Sequence, residues 1–340
     1  MRKYFAAIAF AFALAVLFAS SSFAQILTPQ GRLTLQSQTP VMTTDVVGAS
    51  TVYYTPYVGN SLPISNGTSL SNGTFSELSL NVANTSVAGE LADVYAIYVS
   101  GAFQLCLRTG WMGNARSSTN DITLWQGVWV NANTLVNSCG TPTNNYNVPA
   151  KTGIYLGTIY TSVYAGYNTA GLTVHLKPSP VAGGSRNLIG IWNAYNRVPI
   201  ESLCSDSATS WTDSSTAWEP LDNSSTNGYG TYNSVTYVDG LAQSIVEGRV
   251  TTIAYNATAT NGADIGVNED SITNTPNVRA GFQAATSGTT VGATSFAATE
   301  SFEPQLGLHY LQAMQWSPNG TAVTFAFNGG QTFLLYKGEY

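Results

Sequence analysis

The sequence predicts an all-β protein: two β-sandwich or jelly-roll-like domains in tandem, following a cleaved signal peptide. Three observations predict this. Apolar and polar residues alternate with period 2 along most of the chain, the signature of half-buried strands. Turn-forming residues interrupt the alternation at a spacing of roughly 8–12 positions, as in sandwiches and jelly rolls. Only 9% of the 340 residues are charged, against about 25% in an average soluble domain, so Ser, Thr, Asn and Gly supply the polar surface.

The same composition excludes several classes. A net charge of −6 and an isoelectric point near 4.8 do not suit a nucleic-acid binder, which needs clustered Lys and Arg. Coiled coils and helical solenoids need Glu, Lys and Arg on their solvent faces, and these are too sparse. An aromatic content of 11% argues against charge-driven disorder.

Residues 1–24 read as a secretory signal. Met1-Arg2-Lys3 is a short basic start, Tyr4 to Ala19 is a continuous apolar run, and Ser22-Phe23-Ala24 sets small residues before a cut at Gln25. The run is shorter than the ~20 residues of a bilayer span, which is the competing reading. Cleavage removes Arg2 and Lys3 and no acid, so the net charge moves from −6 to −8. Without a second long apolar run, no membrane insertion is expected after cleavage. The expected location is extracellular or at the cell surface.

Strands then follow in order. Arg32 to Gln36 alternates, and Thr51 to Thr55 is β-branched and aromatic, with Pro56 ending it. Leu78, Leu80 and Val82 share a face. Val94, Ala96 and Tyr98 share another, and Ser100-Gly101 turns the chain back into Phe103, Leu105 and Leu107 as a hairpin. Gly153–Tyr164 and Leu172–Leu176 continue the pattern. Two Pro and two Gly between Lys177 and Ser185 break it. This places an N-terminal domain at 25–176, a linker at 177–186 and a C-terminal domain at 187–340. In the long run Gln243–Tyr255, the odd residues from Ile245 to Ile253 take one face and the even ones from Val246 to Ala254 the other. Leu308–Trp316 and Thr321–Phe327 are expected to pair as a hairpin across Ser317-Pro318-Asn319-Gly320. A last strand near Phe333–Tyr336 is expected to complete a sheet.

Cys106, Cys139 and Cys204 are the only cysteines. Cys106 and Cys139 lie close enough in sequence for a disulfide, worth roughly 3–4 kcal/mol on the chain-entropy model. The reading leaves open whether they are bonded, and Cys204 is then buried or free to pair between chains.

Known catalytic motifs are absent: no G-x-S-x-G, H-E-x-x-H, phosphate loop or dinucleotide fingerprint occurs. His175 and His309 have no motif partner. Two carboxylate pairs, Glu219 with Asp222 and Glu300 with Glu303, have the residue types that glycoside hydrolysis uses. Asp264, Asn268, Glu269 and Asp270 crowd hard oxygen ligands into seven residues, a weak candidate Ca²⁺ loop; otherwise no cofactor is expected. The aromatics are more informative. Trp111, Trp125, Trp129, Trp211 and Trp218 lie in or beside Ser/Thr/Asn/Gly-rich stretches, where flat rings and short polar groups are what sugar recognition uses. Each is equally a plug for a β-sandwich core. On an unbroken strand, Trp125 and Trp129 share a face, with Gly127 as a possible bulge.

Gly31-Arg32-Leu33-Thr34-Leu35-Gln36-Ser37-Gln38-Thr39-Pro40-Val41-Met42 and the Thr51–Gly59 stretch resemble the opening of a largely uncharacterised β-rich family of bacterial and phage genomes, often encoded beside phage structural genes. Trp192-Asn193-Ala194-Tyr195-Asn196-Arg197-Val198 and Gly307-Leu308-His309-Tyr310-Leu311 are further similar stretches. The resemblance implies a structural or tail-associated protein with no accepted catalytic residues. The expected function is therefore a secreted, non-enzymatic structural or adhesive protein. It would bind a surface glycan or assemble as a homo-oligomer such as a trimer. A secreted glycan hydrolase using a carboxylate pair is the alternative.

Overall fold

The structure is a computed structural model and describes residues 27–82, 89–139, 146–162, 171–223, 232–256, 262–283, 291–320, 322–325 and 332–340. Residues 1–24, expected to be a signal, lie outside this set. The protein is all-β: apart from two single-turn 3-10 helices, Ser118–Asn120 and Leu221–Asn223, every regular element among the described residues is a strand.

One six-stranded sheet is built mainly from the first half. It runs Ile122–Trp125, Val128–Asn131, Ile154–Thr161, Glu90–Val99, Ala102–Thr109, and Ile191–Asn193 also pairs with Ile154–Thr161. Its central strands are buried on both faces, which explains why Leu91 to Ile97 and Ile154 to Thr161 are shielded throughout. Ala92, Val94 and Ala96 enter one core cluster, while Leu91, Tyr95 and Ile97 enter a second on the opposite face. Ser100 and Gly101 both have positive φ, the primed turn whose twist suits a two-residue hairpin.

Two further sheets make the C-terminal sandwich. The larger runs Val46–Ala49, Leu172–Val174, Arg186–Ile189, Ser234–Asp239, Gly307–Trp316, Gly262–Glu269, Arg279–Gln283. Glu219–Pro220 adds to Gly307–Trp316, and the Arg186–Ile189 and Ser234–Asp239 pair is parallel. The other runs Pro199–Asp206, Thr332–Glu339, Val246–Asn256, Val323–Phe325, Trp211–Asp213, with Val291–Phe302 on the free side of Val246–Asn256. The sheets face each other closely: a Cβ added to Gly248 would lie 2.8 Å from Val267 and 2.9 Å from Leu311. Val246–Asn256 alternates as its sequence predicts, with Val246, Val250, Thr252 and Ala254 inward.

Pairings cross the 177–186 segment in both directions. Val46–Ala49 and Leu172–Val174 belong to the larger C-terminal sheet, and Ile191–Asn193 belongs to the N-terminal one. One core cluster includes both Leu33 and Tyr340. Residues 32–33, 193–196 and Tyr340 form this junction. Leu33 N donates to Asn193 Oδ1 at 2.6 Å, and Asn193 Nδ2 returns a bond to Leu33 O at 3.2 Å. Arg32 is fully buried; it donates to the carbonyls of Pro40, Asn196 and Tyr340, and its guanidinium lies 4.6 Å from the Tyr340 ring centroid. Burial pulls the Arg32 pKa down, opposed by Tyr340.

Two local expectations change. Gly307–Trp316 and Val323–Phe325 do not form a hairpin; they sit in different sheets of the sandwich. The turn does form, with Gly320 N donating to Ser317 O at 3.2 Å, but the chain there passes from one sheet to the other. Thr332–Glu339 does complete a sheet, from an interior position between Pro199–Asp206 and Val246–Asn256. The second change is that Gln126 and Gly127 both have positive φ and form a tight turn. The register then sets Trp125 opposite Val128 and Leu124 opposite Trp129, so the two tryptophans fall on opposite faces.

Candidate functional site

Trp111, Trp125 and Trp129 are packing residues. The Arg116 guanidinium lies 4.3 Å from the Trp111 ring centroid and forms a two-point ion pair with buried Asp93 at 2.7 and 2.9 Å. Trp125 rests against the larger core cluster and Trp129 against the smaller. Trp111 lies in the two-stranded pair of Trp111–Met112 with Ala115–Arg116, while Trp125 and Trp129 lie on opposite faces of the N-terminal sheet.

Trp211 and Trp218 both lie at one end of the C-terminal sandwich, but on opposite faces of its larger sheet, because Gln315, which bonds Trp211, and Trp316, which stacks on Trp218, are neighbours on one strand. Trp211 begins the strand Trp211–Asp213, whose register places it opposite Phe325; the two rings stack at 5.8 Å and 7°. Trp218 stacks on Trp316 at 5.6 Å and 27°. Trp316 ends the strand Gly307–Trp316, and its Nε1 donates to Thr216 O at 2.9 Å. Trp211 and Trp316 are half-buried and Trp218 is 8% exposed. Trp316 was not among the candidates, because its strand alternation is what any core-facing aromatic shows.

Gln315 ties the aromatics to acids. It is fully buried, and its Oε1 accepts from Trp211 Nε1 at 2.8 Å and from Asp222 N at 2.9 Å. Its Nε2 donates to Glu219 Oε1 at 3.1 Å. Glu219 and Asp222 thus share one amide, but each carboxyl meets a further acid. Glu219 lies beside Asp213, and Asp206 beside Asp222, each near enough to raise its neighbour's pKa. Burial, then the neighbouring acid, pushes the Asp222 carboxyl up to about 7. Burial and Glu219 likewise push Asp213 up to about 7, against the bonds from the Ser214 and Ser215 backbone. Buried Asp206 also accepts from Gly183 N, Ala208 N and Asn233 Nδ2 at 3.0, 2.8 and 3.1 Å. None of the ion pairs among the described residues involves these four acids.

The remaining candidates do not assemble. Asp264 and Asn268 lie on one face of the strand Gly262–Glu269 and Glu269 on the other. Asn268 Nδ2 donates to Asn274 O at 2.7 Å, Glu269 accepts from Tyr237 and Gln305, and Asp270 Oδ2 meets His309 Nδ1 at 2.6 Å. Among the described residues, no group of three or more His, Cys, Asp or Glu is placed to hold a metal. Glu300 is buried and accepts from Asn277 Nδ2 and Val278 N at 2.9 and 3.3 Å, so it anchors that loop, while Glu303 is exposed. Cys106 is disulfide-bonded; the Cys139 side chain lies outside the described residues. Cys204 is a free, buried thiol whose pKa is pushed up to about 12 by burial, which leaves it unreactive.

The class these features define is an all-β protein with an aromatic and carboxyl-rich sandwich end. No family model and no curated protein matches the sequence. Among solved structures, the chain is similar to the insecticidal delta-endotoxin Cry8Ea1 of Bacillus thuringiensis, at 7% identity and a TM-score of 0.22, covering 91% of this chain and 51% of that one. A Bacillus thuringiensis Cry1Da tryptic core variant follows at 8% identity and 0.17, covering 86% and 48%. The structure of infectious bursal disease virus Gx strain gives 10% and 0.19, covering 87% and 70%. The chain spans about half the length of the two toxins it matches. Likenesses this distant carry no functional argument. Among the described residues, no helix is long and apolar enough to cross a membrane.

Proposed function

We propose that this is an exported, non-enzymatic structural or adhesive protein that binds carbohydrate through the Trp211, Trp218 and Trp316 end of its C-terminal sandwich. One observation carries the reading: two stacked aromatic pairs lie at the same end of the sandwich, Trp211 with Phe325 on the inner face beside Gln315 and its acids, and Trp218 with Trp316 on the outer face of the same strand. The half-buried rings of Trp211 and Trp316 offer flat apolar faces to a sugar, with buried Trp218 backing Trp316, and short acceptors meet its hydroxyls. The resemblance of the opening segment to phage-associated structural proteins and the signal-like residues 1–24 support export and a structural role. Hydrolysis by Glu219 and Asp222 is the weaker reading. A glycosidase sets its two carboxyls on either side of the bond to be cleaved. Here each stands against another acid, Glu219 beside Asp213 and Asp222 beside Asp206, and both share the Gln315 amide on one side.

The test is a glycan-array screen of residues 25–340, followed by titration of each hit while tryptophan fluorescence is read. Trp316→Ala should weaken binding about tenfold or more, the scale of one lost stacking contact, with the fold retained by circular dichroism. Trp129→Ala, in the N-terminal sheet, should leave affinity unchanged. Absence of any hit, or equal losses from both variants, removes the proposal. Glycan cleavage abolished by Glu219→Gln would establish the hydrolase instead.

A further inference from the structure

Among the described residues, the longest strand has one side without a strand partner. Val291–Phe302 pairs with Val246–Asn256 along nearly its whole length, and among the described residues no strand pairs with its other side. Twelve residues extend about 40 Å. Edges of this length are a template for another strand, and soluble proteins normally blunt them with Lys, Pro or a bulge, or cover them. Here the sequence VGATSFAATESF contains no Lys, Arg or Pro. The register shift in this pair falls between Ala254 and Asn256, near the end of the strand, so its centre is regular.

The side chains are equally permissive. Ala293, Ser295, Ala297, Thr299 and Ser301 are exposed, and all are small and neutral. Phe296, Ala298, Glu300 and Phe302 take the other face; Phe296 meets Phe282 edge-on at 6.0 Å, closing the gap between the two sheets of the sandwich. The lone charge, Glu300, is turned inward onto Asn277 and Val278.

We propose that Val291–Phe302 is the contact through which a second copy of this chain joins, antiparallel, to make one sheet continuous across a two-fold dimer. The chemistry favours self-pairing. In an antiparallel arrangement centred on Ala297, Thr299 of each copy stands opposite Ser295 of the other, a favourable hydroxyl pair, and Ser301 stands opposite Ala293. Glu300 falls opposite Thr294, so like charges do not meet. A parallel arrangement would put Glu300 beside Glu300. Such closed two-fold pairing also consumes both edges at once. The inference is independent of carbohydrate binding, and it replaces the expected trimer with a dimer.

Sedimentation equilibrium of residues 25–340 at roughly 100 μM, where an interface of micromolar affinity is filled, should give twice the chain mass. The Ser295→Lys and Thr299→Lys double variant places lysines opposite lysines and should run as a monomer, with an unchanged melting temperature showing that the fold is intact. Ala297→Cys should form a disulfide-linked dimer under mild oxidation, whereas Thr273→Cys, on an exposed turn, should not. The native thiol does not interfere, since Cys204 is buried and Cys106 is already bonded. A wild-type monomer, a trimer, a dimer indifferent to the lysines, or equal crosslinking at both cysteines would each overturn the proposal.

Discussion

Individual residues in this protein act mainly through burial. With so few charges, those that are buried have specific neighbours. Arg32 satisfies three carbonyls and binds the Tyr340 ring, and Arg116 neutralises Asp93. The acids at the sandwich end are different, because they face one another. Asp222, raised to about 7 in the folded protein, ionises near 4 when unfolded. The folded state therefore holds its proton more tightly, and the associated stability is complete at low pH and lost as pH rises through about 7. Asp222 faces Asp206, whose own contacts are Asn233 and the backbone amides of Gly183 and Ala208. Asp222→Asn should raise the melting temperature at pH 8 and leave it nearly unchanged at pH 4.5. An equal effect at both values would show that the carboxyl pair is not what titrates. His309 adds to the slope at higher pH: burial opposes its charge, but Asp270 outweighs burial and raises its pKa. Its stabilising pair is present below the ordinary histidine range and fades as pH rises past the raised value.

At the scale of elements, close approach between strands matters more than propensity. Ile154–Thr161 pairs with Glu90–Val99, but its register shifts between Tyr155 and Gly157. At that point Ile191–Asn193 docks, and a Cβ on Gly157 would lie 2.1 Å from Trp192 O. Gly157→Ala should therefore push the two strands apart and lower stability by about 1–3 kcal/mol, as overpacking does; urea unfolding measures it. A loss under ~0.5 kcal/mol would mean the junction gives way without cost. The strands themselves were legible in the sequence, since Thr51–Pro56, Glu90–Val99 and Val246–Asn256 all alternate or carry β-branched runs. Their partners were less so. The Gln126-Gly127 turn was hidden because Gln is an unusual residue at positive φ, and the short runs on either side read equally well as one strand.

For the whole molecule, the C-terminal strand is a keystone. Thr332–Glu339 lies between Pro199–Asp206 and Val246–Asn256, and Tyr340 is 1% exposed with its hydroxyl accepting from Met42 N at 3.0 Å. Deleting residues 330–340 should split the sheet and uncover two interior edges. The truncated protein should aggregate and lose cooperative unfolding; a soluble product with a sharp melting transition would contradict this topology.

Sequence alone determined the all-β class, the positions of most strands, the neutral surface and the absence of known catalytic motifs. These follow from composition and from a period of 2, which are local properties of the chain. Of the site, Trp211, Trp218, Glu219 and Asp222 were visible as residue types, but they looked no different from Trp111 or Glu300. Only the tertiary structure decided which of them meet. Gln315 and Trp316, almost a hundred positions further on, bring them together because Glu219–Pro220 pairs with Gly307–Trp316. Long-range pairing also decided that strands from both sides of residues 177–186 share sheets, and that Gly307–Trp316 and Val323–Phe325 part company. The physical reason is the same in each case. Alternation tells a strand which face to bury, whereas its neighbour is chosen by backbone hydrogen bonds and by packing between residues far apart in the chain.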